Sequence, residues 1–181
     1  MKNVVFTLVT LVSLNIFAAP RALVFEKASH DLIKLARTGK LPAEYATKLH
    51  MMKVEKNADG TFQLVVVLDH NEDHSQAPAH ANMIYTAEPK MQSFENVTGY
   101  FNPAATKFSG ASSAKIMDHA AEVLLDSNKK ELLDYAETVA MMHLEFDAAK
   151  NAALVRMVDI NKKSFSVWLD LQGEVLEYKF E

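Results

Sequence analysis

The stretch that decides the fold is the carboxyl-terminal segment 151–181, which reads NAALVRMVDINKKSFSVWLDLQGEVLEYKFE. Polar and apolar residues alternate along 153–160, 164–170 and 174–180, with the period of two that is typical of half-buried strands. In the middle segment, Phe165, Val167 and Leu169 share one face. Residues 161–163 and 171–173 separate the three segments and favour turns. The stretch therefore predicts a three-stranded antiparallel meander.

Amphipathic patterns elsewhere predict three helices. The first covers 22–38 and ends before Gly39, a residue suited to a left-handed carboxyl-terminal cap. Ser112 or Ser113 begins the second, which runs to Leu125. The third and most regular pattern covers 129–149. Further strands are predicted at 48–56 with a bulge, at 61–69 and at 80–87, and 89–110 reads as a long connection with a possible extended segment at 92–100.

This order of elements predicts an α+β fold, in which antiparallel strands form one sheet or two that pack against helices. An alternative within this class is a domain of two helix-plus-three-strand halves. The corresponding pseudo-repeat would cover 20–88 and 112–181, although no residue-level repeat is visible. We interpret 19–181 as a single α+β domain.

The amino-terminal residues 1–18 have the layout of a secretory signal peptide. A lysine at position 2 precedes a mostly apolar run over 4–17, and small residues follow before Pro20. We expect cleavage after Ala18, with Ala19 or Ala22 as alternatives. A permanent membrane anchor is the competing interpretation, but the run is shorter than the roughly 20 apolar residues of a typical span. The mature chain is therefore predicted to be periplasmic or secreted, without a stable membrane span.

The composition excludes several classes of function. The chain has no cysteine, a formal net charge of −4 at pH 7, and 49% hydrophobic residues. Burial rather than disulfide bonds must therefore stabilise an exported fold. Thiol catalysis, thiolate metal sites and thiol redox chemistry are excluded. A mildly acidic chain without a basic cluster argues against nucleic acid and anionic membrane surfaces as partners.

The closing hairpin, Asp170-Leu171-Gln172-Gly173-Glu174-Val175-Leu176, resembles the last hairpin of PepSY-type domains, which are small exported modules of a helix and a meander. Their usual ending is an aspartate, a short turn with glycine, and then Glu-Val-Leu. The resemblance implies a non-catalytic, inhibitory or binding module. A cystatin-like sheet wrapped on a helix fits the order of elements equally well. The greater length of this chain and its long middle loop depart from the PepSY pattern.

The loop after the predicted strand 61–69 contains candidate metal ligands. His70, His74 and His80 lie there among the carboxylates Asp69, Glu72 and Asp73. Imidazole and carboxylate groups together suit zinc or copper(II). The competing interpretation is a solvated acidic loop, because Pro78 and the turn-forming residues argue against a helix that would align His70 with His74.

Two tripeptides combine imidazole with thioether side chains, His50-Met51-Met52 and Met141-Met142-His143. This combination suits copper(I) in an exported protein, whereas methionine as core filler is the commoner role. His143 lies on the apolar stripe of the predicted helix 129–149. It is interpreted as a core-edge histidine held by Asp147 or by a strand carbonyl, or alternatively as a base or pH switch.

The run Ser112-Ser113-Ala114-Lys115 has the Ser-x-x-Lys spacing of penicillin-binding enzymes and class A β-lactamases. One helical turn would bring the lysine beside the serine. The Lys-Thr-Gly motif is absent, and Asp126-Ser127-Asn128 differs from Ser-Asp-Asn. We therefore interpret Ser112 or Ser113 as a capping residue, with a hydrolase as a third hypothesis.

The leading hypothesis is an exported, non-enzymatic protein that binds an envelope or extracellular protein, or a small ligand. The candidate contact residues are Tyr100, Phe101, Asn102 and Trp168, because aromatic side chains on loops or outer sheet faces often anchor interfaces. The alternative function is a periplasmic zinc- or copper-binding protein that uses His70, His74 and His80. Apart from such a metal, no cofactor is expected.

Overall fold

The structure is a computed structural model that describes residues 19–70, 76–102, 112–126 and 128–181. The helices are α1 (Arg21–Arg37), α2 (Glu44–Thr47), α3 (Ser113–Leu124) and α4 (Lys130–Thr138). The strands are β1 (Leu49–Lys56), β2 (Phe62–Leu68), β3 (His80–Tyr85), β4 (Met91–Val97), β5 (Val139–Asp147), β6 (Ala152–Asp159), β7 (Ser164–Leu169) and β8 (Val175–Phe180). These elements confirm the α+β class.

The strands form one antiparallel sheet in the order β4-β3-β2-β1-β5-β6-β7-β8. Two meanders therefore meet where β1 pairs with β5, through Met51–His143, Met52–Met142 and Lys53–Met141. Each meander has four strands rather than the predicted three, because β4 lies inside the predicted connection 89–110 and β5 lies inside the predicted third helix. The boundaries of the pseudo-repeat, 20–88 and 112–181, stay a prediction.

The helices cover one face of this sheet. Alternate strand residues point toward them, as in β2, where Phe62, Leu64 and Val66 are fully buried in the main core. The meander of β6, β7 and β8 confirms the alternation predicted from its sequence, since Phe165 and Val167 belong to the same core. No described helix covers the other face of the sheet. Side chains on that face therefore approach one another only through the pairing of their strands.

The prediction of a helix over 129–149 is wrong beyond Thr138. The backbone changes to an extended conformation at Val139 (φ −54°, ψ 130°) and continues as β5. Because β5 pairs with β1 on one side and β6 on the other, both neighbours satisfy its backbone groups. His143 therefore lies on a strand and not on a helical stripe.

Local predictions of turn geometry are confirmed. Gly39 has a φ of +68° directly after α1, and the predicted bulge in β1 lies between Leu49 and Met51. In the closing hairpin, the Asp170 carboxylate accepts the backbone N–H groups of Gln172 and Glu174 at 2.9 Å each. No helix in the described ranges combines the length and the apolar character needed to cross a membrane.

Candidate functional site

The predicted contact residues Tyr100, Phe101 and Asn102 follow β4, and backbone hydrogen bonds hold Tyr100 and Asn102. The N–H of Tyr100 donates to the carbonyl of Ala77 at 2.9 Å, and the N–H of Asn102 donates to the carbonyl of Asp69 at 2.8 Å. Phe101 is partly buried against the core. These three residues are thus a fixed part of the surface at the ends of β2 and β3.

Phe101 lines a small apolar cavity. The other lining residues are Pro42, Tyr45, Leu68, Ala79, Asn96, Thr98 and Gly99. The cavity volume is ≈ 110 Å³, below the roughly 300–1,000 Å³ of typical small-molecule pockets. Burial raises the pKa of Tyr45 to about 12, so its hydroxyl stays protonated and donates to Oδ1 of Asn96 at 3.0 Å. The cavity suits a very small apolar group.

Trp168, the fourth predicted contact residue, lies far from this cavity, on β7. Its side chain faces away from the helices and forms a small second cluster with Ala152 and Leu154. It is only 5% exposed, because the ammonium groups of Lys150 and Lys179 lie 4.0 and 5.2 Å from its ring centroid. The four predicted contact residues therefore do not form one surface.

The structure describes two of the three predicted loop ligands, His70 and His80. His74 lies outside the described residues. His80 begins β3, where it pairs with Val67 of β2. Nδ1 of His80 donates to the carbonyl of Pro78 at 3.1 Å, and Nδ1 of His70 donates in the same way to Leu68 at 3.2 Å. A metal site of His70, His74 and His80 stays a prediction.

The structure instead brings His50 and His143 together. Their Nε2 atoms are 2.8 Å apart, and their ring planes are nearly perpendicular, at 86°. His50 lies at the bulge of β1, and His143 lies directly across from Met51 on β5. The ring centroid of His70 is a further 5.3 Å from that of His50. This group, His50, His143, His70 and Met51, is called the histidine cluster below.

The surroundings of the ring nitrogens indicate the tautomer of each histidine in the cluster. Nδ1 of His143 is 3.1 Å from a carboxylate oxygen of Glu145, and a carboxylate only accepts, so Nδ1 carries a hydrogen. The lone pair of neutral His143 is then on Nε2 and accepts from Nε2–H of His50. Arg156 neighbours His143 on β6, and Glu145 and Glu181 compensate its charge.

The serine and lysine of the Ser-x-x-Lys spacing have separate partners. Oγ of Ser112 donates to the carbonyl of Ala46 at 2.5 Å and accepts the N–H of Lys115, so Ser112 caps α3 as interpreted. Nζ of Lys115 donates to the carbonyl of Gln172 at 3.5 Å. The ammonium group is therefore not directed at the hydroxyl that it would have to activate.

The two outer strands of the sheet differ in character. On β4, the exposed residues are polar or charged, namely Gln92, Ser93, Glu95 and Asn96. On β8, Val175, Leu176 and Tyr178 are exposed by 41%, 56% and 37%. Sheet edges normally carry charges or other features that prevent further pairing. The β8 edge is consequently the more suitable one for contact with another chain.

Comparison with known proteins gives no further guide. The sequence matches no family model, no curated protein is similar to it, and no solved structure matches its fold. The resemblance of the closing hairpin to PepSY-type domains therefore stays a prediction. In the part of the chain that the structure describes, no group of three or more His, Asp or Glu side chains is already arranged to hold a metal ion.

Proposed function

We propose that the mature chain is an exported, non-enzymatic binding protein that recognises an extended segment of a partner protein along β8. The apolar edge of β8, which pairs with no further strand in the described part of the chain, is the observation that carries this proposal. The layout of residues 1–18 and the absence of cysteine support export, with a fold stabilised by burial alone.

The backbone of β8 has hydrogen-bonding groups that point away from the sheet. The N–H of Glu181 donates to the carbonyl of Ser164 at 3.0 Å, and residues directed at the partner strand alternate along an antiparallel pair. Lys179 and Glu177 are therefore directed at β7, whereas the N–H and C=O groups of Tyr178 and Phe180 face outward. An added strand would pair with these outward groups.

The side chains of β8 supply apolar contact beside those backbone groups. Of the large apolar side chains exposed in the described residues, three belong to β8, and the fourth, Ile160, lies in the turn between β6 and β7. Tyr178 and Phe180 pair with the core residues Val167 and Phe165, so they lie on the helix side of the sheet. An added strand would extend the apolar surface that Val175, Leu176 and Tyr178 expose.

Charge and size define the partner. Within the described ranges, neither Lys129 nor Lys179 lies within ion-pair distance of a carboxylate. Lys129 lies beside the exposed apolar residues of β8, since it donates to the hydroxyl of Tyr178, whereas Lys179 lies on the opposite face of the sheet, over the ring of Trp168. The favoured occupant is an extended segment with alternating apolar and acidic residues. A partner protein is preferred to a small ligand because β8 offers an apolar sheet edge, whereas the cavity beside the predicted contact residue Phe101 is only ≈ 110 Å³.

Site-specific photo-crosslinking tests this function. Benzoylphenylalanine would replace Leu176 in one variant and Gln92, on the opposite edge, in a matched control. Each variant would be irradiated in an envelope extract of the source organism. We expect one partner protein to crosslink at position 176 and not at position 92. Equal crosslinking at both positions would overturn the proposal.

A backbone variant distinguishes strand addition from nonspecific binding to the apolar side chains. Tyr178→Pro removes an outward N–H without removing a hydrogen bond to β7, so we expect capture of the same partner to be lost. Tyr178→Phe keeps the backbone and the ring and should capture it as wild type does. Circular dichroism spectra would verify that both variants are folded. Undiminished capture by a folded Tyr178→Pro would exclude pairing along β8.

A further inference from the structure

We infer that the histidine cluster is a binding site for copper(I), with Nε2 of His50, Nε2 of His143 and the thioether of Met51 as the principal ligands. This inference is independent of the proposed protein partner. It also uses a donor set different from the loop histidines His74 and His80.

The spacing of the two imidazoles suits one metal ion. Nitrogen atoms that each bind a metal at about 2.0 Å lie roughly 2.9 Å apart at a right angle and about 3.3 Å apart at the tetrahedral angle. The observed distance between the Nε2 atoms of His50 and His143 is 2.8 Å. A shift of a few tenths of an ångström would therefore convert this hydrogen-bonded pair into two ligands, with displacement of the proton of His50.

The outer contacts of the cluster resemble those of a metal-ligating histidine. Such residues usually donate their second ring N–H to a carboxylate or a backbone carbonyl, which orients the ring and fixes the tautomer. Nδ1 of His143 lies 3.1 Å from a carboxylate oxygen of Glu145, and Nδ1 of His70 donates to the carbonyl of Leu68 at 3.2 Å. In both residues the lone pair of the neutral ring is consequently on Nε2, and His70 is the candidate for a further ligand.

The thioether decides between copper and zinc. Met51 pairs directly with His143 across β1 and β5, so both side chains emerge on the same face of the sheet, with Cβ atoms about 5 Å apart. Thioether sulfur selects copper(I), whereas protein zinc sites use thiolate, imidazole and carboxylate. Two converging imidazoles and a thioether also suit a low coordination number. Copper(I) is therefore favoured.

The register explains why the two tripeptides meet. His50-Met51-Met52 and Met141-Met142-His143 have the same residues in reversed order. Antiparallel pairing aligns Met52 with Met142, and Met51 with His143. The bulge between Leu49 and Met51 then accommodates His50 at the end of the paired segment. The reversed order of the two tripeptides and the antiparallel pairing of β1 with β5 together produce the site.

Anaerobic titration with copper(I) against a chromophoric copper(I) chelator tests the inference. We expect the full chain without its signal segment to bind one copper(I) ion. His50→Gln and His143→Gln should weaken the affinity by at least about 100-fold, and Glu145→Gln by about tenfold, in line with the loss of orienting contacts. Wild-type affinity in both histidine variants would contradict the site.

Matched variants distinguish the cluster from the loop. His80→Gln removes a histidine whose Nδ1 contact resembles that of His70, and it should leave copper(I) affinity unchanged. Loss of binding in His74→Gln or His80→Gln, with His143→Gln unaffected, would assign the metal to the loop and overturn our assignment. X-ray absorption of the wild-type complex gives a test that needs no variant, because it should detect nitrogen ligands and one sulfur. A sulfur-free shell, or a spectrum unaltered by Met51→Leu, would exclude the thioether.

Discussion

At the scale of single residues, Asp118 on α3 combines a charge with a buried position. Its Oδ2 lies 2.9 Å from Nε2 of His30 on α1. Its Oδ1 is buried without a hydrogen-bond partner among the described residues. Burial raises the pKa of Asp118, a protonated His30 lowers it, and the nearby carboxylates Glu122 and Glu26 raise it further. The pKa of Asp118 is therefore raised overall.

This raised pKa predicts how stability depends on pH. The folded state holds the proton of Asp118 more tightly than the unfolded state, so the contribution is complete below the unfolded pKa and is lost as the pH rises through the folded pKa. We expect Asp118→Asn to increase the free energy of unfolding at pH 7 by about 1 kcal/mol. The gain should fade as the pH falls toward 4. Urea unfolding at both pH values checks this, and a variant less stable than wild type at pH 7 would contradict it.

Trp168 illustrates how a predicted contact residue becomes part of the scaffold. Its Nε1–H donates to Oδ2 of Asp147 at 2.8 Å, and this bond lowers the pKa of Asp147. Lys150 and Lys179 cover the ring, and Lys150 also pairs with Glu177 on β8. The indole thus connects β7 to the start of the β5–β6 turn and to β8.

We therefore expect Trp168→Ala to reduce the free energy of unfolding by about 3 kcal/mol, the lower end for a buried aromatic residue. Trp168→Phe keeps most of the apolar contact and should lose less. Chemical denaturation of the two variants gives the comparison. If Trp168→Ala were as stable as wild type, the side chain would be a free surface anchor after all.

At the scale of elements, the boundary between α4 and β5 shows why periodicity misled the sequence prediction. Positions 139, 142 and 146 fit a helical stripe that continues from α4, and alanine, methionine and glutamate favour helices. Positions 142 and 144 fit a strand equally well. Pairing with β1 and β6 decides between the two periods, and a pattern within one segment contains no information about such pairing.

Substitutions at Leu144 and Phe146 distinguish a helix over 129–149 from the strand β5. In a helix over 129–149, Leu144 would lie opposite the apolar stripe and Phe146 would lie near its centre. In the strand, Leu144 is buried and Phe146 is only half-buried. We expect Leu144→Ala to reduce the free energy of unfolding by about 3 kcal/mol and Phe146→Ala to reduce it less. The reverse order in thermal or urea unfolding would favour the helix.

The elements predicted correctly are those whose local signals agree. Strict alternation fixed β6, β7 and β8, and turn chemistry at Gly173 fixed the last hairpin. The partners in space were not predictable in the same way. His50 and His143 are 93 positions apart, and their approach depends on the register of β1 with β5. The two histidine–methionine tripeptides were a signal for this site. The wrong helix prediction, however, placed His143 on the apolar stripe of a helix and therefore at the edge of the core.

At the scale of the whole molecule, the junction of β1 with β5 combines two four-stranded meanders into one sheet. This junction creates the histidine cluster at the middle of the sheet. In the same sheet β8 is an outer edge, four strands beyond β1. The copper(I) proposal therefore depends on the pairing of β1 with β5, which the absence of native cysteines makes simple to test.

The most direct measurement is disulfide formation in the double variant Lys53→Cys/Met141→Cys. These residues are directly paired across the junction, so their Cα atoms lie about 4.5–5.5 Å apart, within the range that a disulfide bridges. The control Lys53→Cys/Val158→Cys spans one more strand, about 10 Å. Mass spectrometry of the oxidised, folded monomer should find the intramolecular disulfide in the first variant and not in the control. A first variant that stays reduced, or forms only intermolecular disulfides, would contradict the single sheet on which the account depends.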